Sequence, residues 1–194
     1  MMLMEMEIGR SARSLTVEDL EGMPDDGRRY ELIDGELLVS PAPGTYHQTV
    51  SGELFLLLRQ ARPVGLKVMA APFAFQLDMR NEVQPDVLVA RIEDFTAKNL
   101  IGPPLLAVEI LSPSTAFTDT HRKKNFYQRA GVASYWVIDP LEPRLRVYEL
   151  DRNGRYREAI EFGPDEAFKA ERPFPITIRP IDLLDDVRGR DLPD

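Results

Sequence analysis

Leu105-Leu106-Ala107-Val108-Glu109-Ile110-Leu111 is the stretch that decides the fold of this chain. It is apolar throughout except for one glutamate, as expected of a short strand buried on both faces. A buried carboxylate without a partner costs on the order of several kcal/mol, so Glu109 needs a cation, a set of donors or a metal. Strand alternation puts Glu109 on one face with Ala107 and Leu111. Ser112-Pro113-Ser114-Thr115 then ends the run.

Working outward, residues 83–90 (Val-Gln-Pro-Asp-Val-Leu-Val-Ala) read as a second strand, with Pro85 near its start, where proline is tolerated. Residues 68–77 read as a third. Residues 47–62 show Val50, Leu54, Leu57 and Leu58 at helical spacing, closed by Pro63 and Gly65. Before them, residues 29–33 and 36–39 flank Asp34-Gly35, the signal of a two-residue hairpin turn. A short helix precedes the hairpin, capped by Thr16 and ended by Gly22 and Pro24. On the other side, residues 118–130 read as a helix with Gly131 as its C-cap, followed by strands at 133–138 and 144–150. Asn153-Gly154 turns the chain back into residues 156–161. The expected fold is α/β: a restriction-endonuclease-like core, with a central mixed sheet flanked by helices and an N-terminal β-hairpin. The expected organisation is a loose arm at 1–14, one domain at 15–184 and a polar tail at 185–194.

Composition narrows the function classes. At 194 residues and 43% hydrophobic the chain fits one domain with a real core. A net charge of −8 argues against a global basic surface for gripping long DNA, but leaves room for a local one. The absence of cysteine excludes disulfides, thiolate zinc sites and cysteine nucleophiles, and two histidines do not suggest a histidine-rich zinc site. The first residues place no basic residue before an apolar run, so no signal peptide is read. No run approaches the roughly 18 apolar residues of a membrane span. A soluble, cytoplasmic protein is expected.

Asp86 and Glu109 converge if their strands are neighbours. Two carboxylates with a backbone carbonyl and water suit a hard cation such as Mg2+, which can activate water and stabilise charge on a phosphate. The alternatives are that Asp86 ends a turn after Pro85 and that Glu109 pairs with an arginine. On a helical wheel Lys123 falls on the inward face with Phe126, while Lys124 points to solvent. An inward lysine can orient a metal-bound water or neutralise a phosphate; the alternative is an i,i+4 pair with Asp119. His47, at the start of a helix, can be a general base or a water-mediated metal contact, or can be bonded locally. Glu31 and Glu36 can add a ligand, though pairing with an arginine is the reading favoured for both. Gln84 can touch a phosphate or the attacking water, and Tyr127 can bond a site carboxylate. Arg122, Lys124 and Arg129 form the best local candidate for phosphate contact. Trp136 reads as core.

Gln84-Pro85-Asp86, the run Val108-Glu109-Ile110-Leu111-Ser112-Pro113-Ser114-Thr115, Asp119 with Lys123 and Tyr127, Gly131-Val132, and Tyr135-Trp136-Val137-Ile138-Asp139-Pro140 together resemble the Uma2 family of restriction endonucleases, in the PD-(D/E)XK superfamily. The resemblance takes in Tyr30-Glu31-Leu32-Ile33-Asp34-Gly35-Glu36, Pro41 and His47, and covers roughly residues 15–184. It implies a metal-dependent phosphodiesterase acting on nucleic acid, expected to be DNA. Asp86 and Glu109 would ligate Mg2+ or Mn2+, and Lys123 would be the catalytic lysine. The superfamily's E-X-K spacing would put that lysine at position 111, where this chain has Leu111; the family supplies it from the following helix. Double-strand cutting implies a homodimer. Two other classes compete: a domain that keeps the fold but only binds nucleic acid or protein, and a hydrolase of a small phosphorylated molecule.

Overall fold

The computed structural model describes residues 14–112 and 118–190. Helix α1 (Val17–Leu20) starts where Thr16 donates to Asp19 Oδ2 from its backbone N–H at 2.8 Å and its hydroxyl at 3.2 Å. Strands β1 (Arg29–Ile33) and β2 (Glu36–Ser40) form the expected hairpin, with Asp34 and Gly35 at φ 57° and 74°. Positive φ at both positions gives the turn whose twist matches that of the strands. Helix α2 (Thr45–Ala61) turns Val50, Leu54 and Leu58 into the core.

The next two expected strands each divide. Residues 68–77 are not one strand but β3 (Leu66–Ala70) and β4 (Phe75–Asp78). Residues 83–90 are likewise β5 (Asn81–Val83) and β6 (Val87–Arg91). In both cases the chain crosses from one sheet to another, at Ala71-Pro72 and at Gln84-Pro85-Asp86. Proline brings no N–H to a ladder, so each break falls where a ladder bond is missing anyway.

The chain continues through β7 (Leu100–Ile101) and β8 (Leu106–Ile110). A π-helical turn, Thr118–Lys123, then leads into α3 (Lys124–Ala130), where one α-helix was expected. Gly131 closes α3 at φ 82°. Strands β9 (Ser134–Asp139) and β10 (Arg144–Glu149) follow as read. The return strand is shorter and later than residues 156–161: Tyr156 bridges Leu150, and β11 (Ile160–Phe162) pairs with β10. A small pair, β12 (Phe168–Ala170) and β13 (Ile176–Ile178), precedes 3-10 turns at Pro180–Val187.

Two mixed sheets result. The larger runs β11-β10-β9-β8-β6-β3, parallel at β8/β9 and antiparallel elsewhere. The smaller runs β2-β1-β5-β4-β7, so the N-terminal hairpin forms the edge of a second sheet. Side chains alternate cleanly across the larger sheet. Val87, Val89, Leu106, Val108, Ile110, Trp136 and Ile138 meet α2, Phe168 and Leu183 on one face. Leu88, Ala90, Ala107, Tyr135 and Val137 meet Phe126, Tyr127, Phe75 and Ile33 on the other. The central strands β6, β8 and β9 are therefore buried on both sides, as their apolar runs require. Trp136 is core, as read, and donates to Ser134 Oγ at 2.9 Å. Beyond Leu184, Asp185 and Asp186 are exposed and Val187 is buried in the first core. The expected arm at 1–14 lies outside the described residues but for Ser14. Among the described residues no helix is long and apolar enough to cross a membrane.

Candidate active site

Strands β6 and β8 pair with Val87 opposite Val108. Extending that antiparallel ladder by one pair sets Asp86 opposite Glu109, and opposed residues share a face. Both therefore turn toward the face occupied by α3 and the hairpin. The backbone confirms the approach: Ile110 N–H donates to Asp86 Oδ2 at 2.8 Å.

Four charged side chains are almost wholly removed from water here: Asp86 at 2% exposure, Glu109 at 0%, Glu31 at 1% and Lys123 at 3%. Lys123, at the end of the π-helical turn, donates to Glu109 Oε1 at 3.1 Å and Oε2 at 3.0 Å. Its ammonium also lies 3.0 Å from Glu31 Oε2, as an ion pair off the hydrogen-bonding direction. Glu31 Oε1 accepts the Gln84 backbone N–H at 2.7 Å. Tyr127, one helical turn after Lys123, donates its hydroxyl to Glu109 Oε1 at 2.6 Å. Burial, Glu109 and Glu31 all push that phenol well above its ordinary pKa, so it stays a donor.

Asp86 is clamped from the other side. Arg29 Nη1 donates to Asp86 Oδ1 at 2.8 Å and to the Gln84 carbonyl at 2.7 Å. His47 Nε2 lies 3.1 Å from Asp86 Oδ2. Burial pushes the Asp86 carboxyl up, but the hydrogen bond from His47 and the charges of Arg29 and Lys123 outweigh it and hold it well below the carboxylate range. An ionised carboxylate only accepts, so His47 donates from Nε2. Among the described residues His47 Nδ1 is buried without a hydrogen-bond partner. Burial lowers the Arg29 guanidinium, and Asp86, Glu31 and Glu109 more than reverse this, so Arg29 is a permanent cation.

A cleft of about 600 Å³ opens onto this cluster from the side of α1 and the hairpin. Asp86, Arg29, His47 and Gln84 line it, whereas Glu109, Glu31 and Lys123 do not. Its walls include Arg28, Arg29 and Lys98 against Glu21, Asp25, Glu82 and Asp86.

The structure thus brings together Asp86, Glu109, Lys123, Tyr127, His47 and Glu31, with Gln84 contributing its backbone. Glu31 pairs with Lys123 and not with an arginine. Glu36 does not join the cluster; it pairs with Arg122 at 2.7 Å. The other proposed phosphate contacts are also engaged. Arg129 bonds both oxygens of Asp34, at 2.9 and 2.8 Å, and the Lys124 ammonium lies 5.1 Å over the Tyr148 ring. The Asp119 side chain, the alternative partner of Lys123, lies outside the described residues. Arg29 was not singled out from the sequence. Its position two residues before Glu31, on the same face of the strand, was the available signal.

The family described as "Putative restriction endonuclease", Uma2, matches residues 17–183. A solved structure from Anabaena variabilis, described as a putative nuclease belonging to DUF820, superposes with a TM-score of 0.70 at 20% identity, covering 88% of this chain and 97% of that one. At that identity the likeness establishes the fold. No curated protein is recognisably similar. The family match runs from α1 into the last helical turns and takes in every side chain of the cluster, and the chain belongs to the Uma2 family.

Proposed function

We propose that the protein is a metal-dependent endonuclease that hydrolyses phosphodiester bonds in DNA, with Asp86 and Glu109 holding Mg2+ or Mn2+ and Lys123 as the catalytic lysine. The observation that carries this reading is a pair of buried carboxylates opposed across two central strands, with a buried lysine bonded to one and a cleft open to the other. The family description and the nuclease description of the Anabaena protein support it.

The donor chemistry fits a hard divalent ion. The buried cluster gathers three carboxylates, Asp86, Glu109 and Glu31, around Arg29, Lys123 and His47, and carboxylate oxygens are the donors a hard divalent ion takes. Among the described residues no three acidic or histidine side chains stand grouped as a ready ligand set, and the carboxylates of the cluster are paired with Lys123 and Arg29. Bound there, the ion would supply a water of lowered pKa and positive charge at the phosphate.

The chain's own residues have distinct tasks. Asp86 stays anionic at neutral pH through Arg29 and His47. Tyr127 fixes the plane of Glu109. Lys123 has three donors and can keep one on a carboxylate while offering another to a phosphate oxygen. Arg29, at the cleft floor, supplies a charge-assisted donor for the same phosphate. Cutting both strands of a duplex suits a two-fold dimer in the cytoplasm.

A second reading is a nuclease-fold domain that binds nucleic acid or protein without cutting. Two observations favour it: Lys123 and Tyr127 already take the Glu109 oxygens, and the cleft walls carry four carboxylates against three cations. Titration calorimetry with Mn2+ separates the two. The wild type is expected to bind and Asp86→Ala is not. Incubation with plasmid, linear duplex, single-stranded DNA and RNA then tests cleavage, which Lys123→Ala should abolish. A folded wild type that binds no ion and cuts nothing establishes the second reading.

A further inference from the structure

Lys123 has two carboxylates within reach, and they differ in what else holds them. Glu109 stands opposite Asp86 and is one of the two groups assigned to the ion. Glu31 comes from the hairpin strand β1, and its second oxygen is fixed by the Gln84 N–H at 2.7 Å, on the segment that carries Asp86. The ammonium lies 3.0 Å from Glu109 Oε2 and 3.0 Å from Glu31 Oε2. An ammonium and a divalent ion compete for the same oxygen lone pairs. An ion entering at Glu109 therefore competes with the lysine for that carboxylate, and a buried ammonium moved away from its carboxylate is costly.

We propose that Glu31 is the alternative seat for Lys123: when a divalent ion takes Glu109, Glu31 retains the ammonium inside the site, and so sets the metal affinity without ligating the ion. The inference rests on the metal-site reading above. Three features make Glu31 suited to this. It is nearly as buried as Glu109, so it offers the ammonium an equally dry environment. Among the described residues its Oε2 accepts no hydrogen bond and meets the Lys123 ammonium only as an ion pair, so it has capacity to spare. Its Oε1 is anchored to the backbone, so it stays in place while the lysine moves. Removing the Glu31 charge raises the cost of leaving Glu109. Glu31 is thus a positioning residue that acts through Lys123, and the N-terminal hairpin becomes part of the site.

A double-mutant cycle read by Mn2+ calorimetry tests this. Glu31→Gln keeps the acceptor for Gln84 and removes the charge; it should weaken Mn2+ binding roughly tenfold. Lys123→Gln removes the competitor and should tighten binding. In the Lys123→Gln background, adding Glu31→Gln should change the affinity little. Equal weakening in both backgrounds would make Glu31 a ligand of the ion and overturn the proposal, as would unchanged affinity in Glu31→Gln alone. If Lys123→Gln fails to fold, the side-chain ammonium of Lys123 can be followed by lysine-selective 15N NMR in the wild type during a Mg2+ titration. A slowly exchanging ammonium signal that persists at saturation supports retention by Glu31; loss of that signal to fast solvent exchange overturns it. A wild type that binds no ion at all fails the metal-site reading itself, which is a different outcome from any of these.

Discussion

The two faces of the six-stranded sheet are built from the same strands and obey opposite rules. Val108 and Ile110 of β8 turn into an interior of aliphatic and aromatic carbon, against Leu54, Leu58 and Trp136. Glu109, between them, turns into an interior of comparable dryness that holds three carboxylates, a lysine and a tyrosine hydroxyl. The first face is held by area removed from water, which is non-directional and tolerates exchange of one apolar group for another. The second is held by mutual pairing, where each charge is tolerable only because the others are present. Stability can be spread over many residues on the first face. On the second it is concentrated in a few, and those few are also the candidate chemical groups.

The largest test of this contrast is Lys123→Met. It leaves Glu109 and Glu31 buried and short of their cation, and should cost about 3–5 kcal/mol in chemical denaturation without metal. A loss no larger than that of an ordinary surface substitution would show that the charged face is not held by pairing. Leu54→Ala on the other face should cost about 3 kcal/mol, from lost transfer energy and the cavity left behind. Its Mn2+ affinity should match the wild type, and a change there would show that the faces are coupled. Tyr127→Phe removes the 2.6 Å bond to Glu109 and should cost about 2 kcal/mol.

The smallest effect at neutral pH comes from protonation. The folded-state pKa of Asp86 is depressed, so the stability it contributes is present above its unfolded value of roughly 4 and is lost as pH falls toward the folded value. Denaturant melts of the metal-free protein between neutral pH and about pH 3 should show this slope, and Asp86→Asn should flatten it. An unchanged slope in the variant would locate the acid sensitivity elsewhere.

Much of this contrast is legible in one dimension. Glu109 stands out because it alone interrupts an apolar run. Lys123 stands out because it falls where Phe126 marks the inward face, even though the turn that carries it is π-helical and not α-helical. What is not legible depends on sheets meeting in space. Residues 68–77 and 83–90 keep their apolar alternation across both crossings between sheets, so each reads as one strand, with only Pro72 and Pro85 as clues. Glu31 and Arg29 alternate with Tyr30 and Leu32 as polar residues of a half-exposed hairpin would. Their burial comes from β1 pairing with β5 and thereby lying beside Asp86 and Glu109, a contact between segments more than fifty positions apart.

The pairing of Val87 with Val108 has a consequence for assembly of the chain itself. Between apolar strands such as β6 and β8, a shift by one residue would cost little if every side chain were interchangeable carbon. Such a shift would rotate Glu109 out of reach of Lys123 and into the layer formed by Leu54, Leu58 and Trp136. The carboxylate would then lie unpaired in oil. One charged residue in the middle of an apolar strand thus works as proofreading: the misaligned sheet is rejected by electrostatics before any ion or substrate is present.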